Sequence, residues 1–176
     1  MRKTLLVLLL MPFIARAQKI KDNSYDKFDS LYKVESTDVD LYGGLMRQRY
    51  LSLSASKYKF ESYRFTKVLG REDYHISFLF KAEYTLSTDG KSEIKFELDN
   101  GQILTYINQG SYSISTAGDF ATIAIFVTAD DPLFGASIKT IRISPDGPNH
   151  EYVLSEKAKK KLLDCLKLIK DTNFIM

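Results

Sequence analysis

The chain has no tryptophan, one cysteine, two histidines and four prolines among its 176 residues. A lone cysteine, Cys165, forbids an internal disulfide, so stability has to come from packing. His75 and His150 are the histidines, which leaves few side chains that titrate near neutrality for acid-base work. Without tryptophan, recognition of sugars on flat aromatic platforms would fall to tyrosine. Also missing are a G-x-S-x-G elbow, an H-E-x-x-H pair and a C-x-x-C pair, the local signatures of serine hydrolases and of common zinc sites. No repeat of 20 to 50 residues and no low-complexity segment is present.

Long apolar runs are equally scarce. The one at the N-terminus follows Arg2 and Lys3, spans Leu5 to Ile14 and ends at Ala15-Arg16-Ala17. Positive residues, a short apolar stretch and small residues at the last positions are the pattern of a cleaved signal peptide, residues 1–17. A lipid-spanning helix needs about 20 apolar residues, so this run is too short to remain as an anchor. The expectation is an exported protein, periplasmic or secreted, beginning near Gln18. Removing Arg2, Lys3 and Arg16 takes the 25 basic residues to 22, against 22 acidic ones. A balanced domain lacks the basic surplus of a polyanion binder, which argues against nucleic acid as a partner.

What the chain does have is aromatic and β-branched material: 11 tyrosines and 11 phenylalanines suit a pleated, half-buried interior. Residues 18–24 are polar and read as a flexible leader. Residues 25–176 read as one domain. Within it, "KFDSLYKVEST" alternates weakly, and "DVDLYGGLMR" breaks at Gly43-Gly44. "RYLSLSAS" and "YKFESYRF" read as strands with a bulge between Phe60 and Tyr63. The clearest strand is "YHISFLFKAEYTL", with Ile76, Phe78, Phe80, Ala82, Tyr84 and Leu86 on one face and Leu79 as the exception.

In "EIKFELDNGQILTYIN", Asn100-Gly101 lies between two alternating arms and predicts a two-residue type I′ hairpin. That register sets Leu98 opposite Ile103, Phe96 opposite Thr105 and Ile94 opposite Ile107, all facing the core. Further strands are expected at "SYSIST", "FATIAIFVT", "SIKTIRIS" and "HEYVL". Asp130-Asp131-Pro132 opens a short helical turn, and "SPDGPN" is turn chemistry. One helix closes the chain at 155–170. Ser155 is its N-cap, and Ala158, Leu162, Cys165, Leu166 and Ile169 form its apolar stripe.

The predicted fold is mainly β: an antiparallel β-sandwich or strongly curved sheet of about seven to nine strands, with the C-terminal helix packed on it. Its core comprises Ile76, Phe78, Phe80, Ile94, Phe96, Leu98, Ile103, Ile123, Ile125, Val127, Ile141, Ile143, Leu162, Leu166 and Ile169.

Candidate chemistry is thin. His75 lies on the polar face of a strand and His150 beside a turn, so both read as exposed histidines. Cys165 lies on the buried stripe of the helix, where a thiolate is disfavoured. Glu35, Asp38 and Asp40 are the best set for a calcium site or a carboxylate pair, with Asp38 and Asp40 on one side of an extended segment. The glycine and further oxygen ligands of a calcium loop are missing, so they read as solvated charges. The "KAKKK" run could touch anionic lipid, but a helix that covers a sheet accounts for the same stripe. No catalytic residue, metal ligand or cofactor site is assigned.

The order of export peptide, strands carrying "ELDNGQILTY", a late "IKTIRIS" strand and a closing "LSEKAKKKLLDCLKLIK" resembles small uncharacterised exported proteins of Gram-negative bacteria. The resemblance implies a compact β domain with a closing helix and brings no catalytic residues. Lipocalins also follow a signal peptide with a strand meander and a late helix. Their G-x-W motif is absent here, and this helix is terminal.

Two functions follow as expectations. One is a non-enzymatic envelope protein that recognises a protein or an envelope polymer through its surface. The other is a carrier of a small apolar ligand in a β-sheet cavity closed by the helix.

Overall fold

The structure is a computed structural model that describes residues 18–43, 49–60, 71–81, 92–109, 120–145 and 149–175. Ten strands, one short 3₁₀ turn and one helix make up its regular elements among the described residues. In chain order the strands are β1 (Ile20–Asp26), β2 (Leu31–Ser36), β3 (Val39–Tyr42), β4 (Leu51–Phe60) and β5 (Glu72–Lys81). They continue with β6 (Glu93–Leu98), β7 (Ile103–Ile107), β8 (Phe120–Val127), β9 (Ile138–Ser144) and β10 (His150–Val153). The helix α1 runs over Glu156–Asp171.

The strands form two antiparallel sheets. Sheet A has the order β1-β2-β4-β5-β8, with β3 also paired to β4; sheet B has the order β10-β9-β6-β7. Alternation builds the inner face of sheet A: Leu51, Leu53 and Ala55 of β4 lie opposite Phe80, Phe78 and Ile76 of β5. Those in turn lie opposite Ala121, Ile123 and Ile125 of β8. Every one of these side chains is buried. Sheet B supplies Ile94, Phe96, Ile141, Ile143 and Tyr152 from the other side. Phe78 and Phe96 meet across the gap with ring centroids 5.6 Å apart. Burial of such side chains is worth about 1.5–3 kcal/mol each relative to exposure, which makes this layer the main source of stability.

Helix α1 begins as the sequence predicts. Ser155 has extended backbone and its hydroxyl accepts from the Ala158 N–H, satisfying an otherwise orphaned donor. The buried side chains are Ala158, Leu162, Cys165, Leu166 and Ile169, the stripe expected from the 3.6-residue period. They pack against β2, β3, β4 and the 3₁₀ turn Pro132–Phe134, and so cover that part of sheet A. Asp131 caps that turn by accepting from the Leu133 N–H, with Pro132 at its first position.

Three expectations are corrected. Residues 18–24 are not a loose leader: β1 starts at Ile20 and pairs with β2 over Ile20–Asp26, while Gln18 donates to the Thr37 carbonyl. Polar composition hid a strand that its backbone pairing with β2 holds, helped by Lys21 on Glu35 and Tyr25 on Tyr32.

The second correction is the register of the β6–β7 hairpin. Its loop has three residues, Asp99 to Gly101, closed by Leu98 N–H to Gln102 O and Gly101 N–H to Leu98 O, both 2.9 Å. Gly101 takes φ +83° while Asn100 stays at negative φ, which rules out a type I′ turn. Ile94 therefore faces Tyr106 and Phe96 faces Leu104. Ile103 leaves the predicted core and is 62% exposed. The other predicted core residues are buried.

Third, "RYLSLSAS" and the start of "YKFESYRF" form one continuous strand, β4. The proposed bulge after Phe60, residues 82–86 of the alternating stretch, "SYSIST" and residues 146–148 of "SPDGPN" lie outside the described residues, as does the N-terminal segment 1–17.

Candidate recognition surface

The solvent-facing side of sheet B is a regular grid, because its register aligns side chains of like phase from four strands. One row reads Val153, Thr140, Glu97, Ile103 across β10, β9, β6 and β7. The next reads Glu151, Arg142, Lys95, Thr105, and the third runs Ser144, Glu93, Ile107. Charges occupy the centre and exposed apolar side chains the rims: Val153 is 60% exposed at one edge, Ile103 62% and Ile107 48% at the other. Between the first two rows lies a shallow depression of about 110 Å³ lined by Lys95, Glu97, Ile103, Thr140, Arg142 and Glu151.

The charges are paired within the surface. Arg142 donates through Nε (2.9 Å) and Nη2 (2.5 Å) to Oε2 of Glu151. Lys95 meets Glu93 at 2.8 Å. Lys139 donates to Glu97 at 2.8 Å, and this bond holds the Glu97 carboxyl below its usual range and the Lys139 ammonium above it. Exposed pairs of this kind add little stability, about 0–1 kcal/mol each. Their effect is to present alternating charge at fixed positions with no net sign.

The residues singled out in the sequence do not converge on this surface. His75 lies on the outer face of sheet A, half-buried rather than exposed, its ring 4.7 Å from that of Phe126. Desolvation lowers its pKa and so favours the neutral imidazole. Ser77 Oγ is 3.4 Å from its Nε2, a longer contact than a nucleophile and its base normally make, and the ring leans on a phenyl group. His150 is also half-buried and packs edge-on against Phe80, with centroids 5.3 Å apart.

Cys165 is fully buried; its thiol donates to Ser36 Oγ at 3.4 Å, and burial pushes its pKa up to about 11. Glu35 is held by Lys33 and Lys21, and those hydrogen bonds lower its pKa. Asp40 accepts from the Tyr50 hydroxyl at 2.8 Å, and its carbonyl accepts from Lys161. Among the described residues, no group of three or more His, Cys, Asp or Glu side chains stands together as a metal site. No described helix is long and apolar enough to cross a membrane. Within "KAKKK", Lys159 bridges to Asp99 and Glu156, and Lys161 reaches β3, so two of its lysines tie the helix to the domain.

Sequence inspection missed this surface because each of its residues is ordinary in its own strand. The available signal was the polar phase of "EIKFEL" beside that of "IKTIRIS", legible only once the two strands are known to be neighbours. No protein-family model matches the chain, and no curated protein or solved structure matches it either.

Proposed function

We propose that this is an exported, non-enzymatic protein that acts by surface recognition of a protein or an envelope polymer, through the outer face of sheet B. The observation that carries the reading is the flat grid of paired charges between apolar rims, with its depression over Thr140. Exposed apolar side chains beside charges held at fixed positions give a partner both area to bury and signs to complement. Export rests on the N-terminal sequence, residues 1–17. The carrier reading requires space between the sheets, and there Phe78 stacks beside Phe96 while Phe96 meets Tyr106 at 5.6 Å. The helix buries its stripe against sheet A, which favours a cover over a lid.

The test is site-specific photo-crosslinking in the envelope, with the reactive group at Arg142 in one variant and at Ser77, on the outer face of sheet A, in another. Reproducible adducts from Arg142 and none from Ser77 are expected. Equal labelling from both, or none, would remove the assignment of the face. A small molecule retained in native mass spectrometry and lost on denaturation would favour the carrier.

A further inference from the structure

Every open sheet edge is a template for another strand, and most edges of this protein are guarded. Strand β1 carries Lys21, Asp22 and Asp26 along its length. The short β3 has its Asp40 carbonyl occupied by Lys161 at 3.1 Å. On β8, Ala124 O accepts from the Gln109 N–H at 2.8 Å, and the Ala124 N–H donates to Asn108 Oδ1 at 3.1 Å. On β10, Glu151 O accepts from Arg49 at 3.1 Å. Strand β7, Ile-Leu-Thr-Tyr-Ile, carries no charge, no proline and no register shift, and among the described strands only β6 pairs with it; β8 meets the chain at Gln109, two residues past its end.

The hydrogen-bond phase of β7 is set at both ends. Gln102 O accepts from the Leu98 N–H and the Asn108 N–H donates to Ser92 O, so even-numbered residues face β6. In an antiparallel ladder the alternate residues Ile103, Thr105 and Ile107 then direct their N–H and C=O groups away from it. The side chains of Ile103 and Ile107 are the exposed apolar pair of the same strand.

We propose that β7 is a self-pairing edge: two copies of this chain join antiparallel about a two-fold axis at Thr105, making one eight-stranded sheet from two sheets B. The sequence of β7 is complementary to itself in this register. Ile103 lies opposite the partner's Ile107, Thr105 opposite the partner's Thr105, and each pair exchanges two backbone bonds, about six in all. The exposed isoleucines become cross-strand neighbours, the contact that stabilises sheets. Electrostatics do not oppose it. Strands β6 of the two copies, with Glu93, Lys95 and Glu97, stand about three strand spacings or 14 Å apart, beyond the Debye length of about 8 Å at physiological salt. An interface this small is reversible, and the dimer dissociates on dilution. The dimer shares Ile103 and Ile107 with the rim of the outer face and leaves Lys95, Arg142 and Glu151 outside the seam.

Sedimentation velocity from about 1 µM to about 1 mM tests it, since that range covers the affinities of small interfaces. The expected result is a concentration-dependent doubling of mass. Thr105→Pro removes an N–H that β6 does not use and is expected to weaken the dimer about a hundredfold while leaving the melting temperature near wild type. Thr105→Cys places two thiols at the axis, about 5.5 Å apart by Cα, within disulfide range. Mild oxidation should cross-link it, and should not cross-link Val153→Cys on the opposite edge; the buried Cys165 does not interfere. A monomer throughout the range, with no more cross-linking from Thr105→Cys than from Val153→Cys, overturns the proposal. So does a dimer that survives Thr105→Pro. Should that variant fail to fold, Ile107→Lys and the cysteine pair still decide.

Discussion

Lys57 occupies a position that alternation assigns to an apolar side chain, after Leu51, Leu53 and Ala55 on the inner face of β4. Its side chain is 3% exposed. The ammonium donates to the carbonyls of Lys170 (3.3 Å) and Thr172 (2.6 Å), where the helix end carries partial negative charge, and lies 3.7 Å from Glu72. Burial nevertheless lowers its pKa. Lys57→Met keeps the stem and removes the bonds; the expected cost in urea unfolding is about 1–3 kcal/mol, the worth of charge-assisted bonds. Unchanged stability would mean that the ammonium only breaks even there. The buried phenols give a second expectation. Desolvation raises the pKa of Tyr152 to about 12, and raises those of Tyr74 and Tyr106, each also hydrogen-bonded to a carboxylate. Together with Cys165, these groups hold protons in the folded state at a pH where the unfolded chain has lost them. The folded state then binds more protons, so stability falls as pH rises above about 9 for the thiol and 10 for the phenols. Lys57 acts in the opposite sense below its ordinary value, but alone among the described lysines. Melting temperature should decline from pH 9 to 12, with tyrosinate absorbance from these phenols appearing together with unfolding. Ionisation of all the tyrosines near pH 10 in the folded protein would contradict this.

At the scale of elements, the β6–β7 hairpin decides which side of β7 is wet. Both phases of Ile-Leu-Thr-Tyr-Ile are apolar enough to be buried, so periodicity could not choose between them. The choice came from contacts distant in sequence. Tyr106 donates to Asp131 at 2.6 Å and packs edge-on to Phe96, while in the turn the Asp99 N–H donates to the Ser137 carbonyl and the Asp99 carboxylate accepts from Lys159. Asp-Asn-Gly serves a three-residue loop as readily as Asn-Gly serves a two-residue one, and one residue of difference turns the strand over. Leu104→Lys should therefore cost about 2–4 kcal/mol, and Ile103→Lys less than about 0.5 kcal/mol, in chemical unfolding. The type I′ register demands the reverse order. The helix, in contrast, was legible within one residue at its ends: a serine cap, an acidic first turn and a single apolar stripe admit one orientation. Gly43 follows the end of β3 with φ +66°, and a Cβ there would collide with Arg49 O, which gives the break at that point its physical reason.

Across the whole molecule, the two sheets and the helix divide one apolar layer between them. Sheet B meets sheet A where Phe96 packs on Phe78 of β5 and Tyr152 on Tyr42 of β3, and α1 packs on β2, β3 and β4. The mainly β architecture, the closing helix and most of the core follow from alternation, turn residues and one 3.6-residue stripe, which are local properties that neighbouring residues impose on each other. Which strands are neighbours is a different kind of fact. It placed Arg142 between Lys95 and Glu151, brought Lys57 to the helix end, made a strand of the polar segment 20–26, and left β7 at an edge. These depend on pairings and packing between residues far apart in the chain. Only the tertiary structure settles them, because backbone hydrogen bonds carry no record of the side chains that will lie beside them.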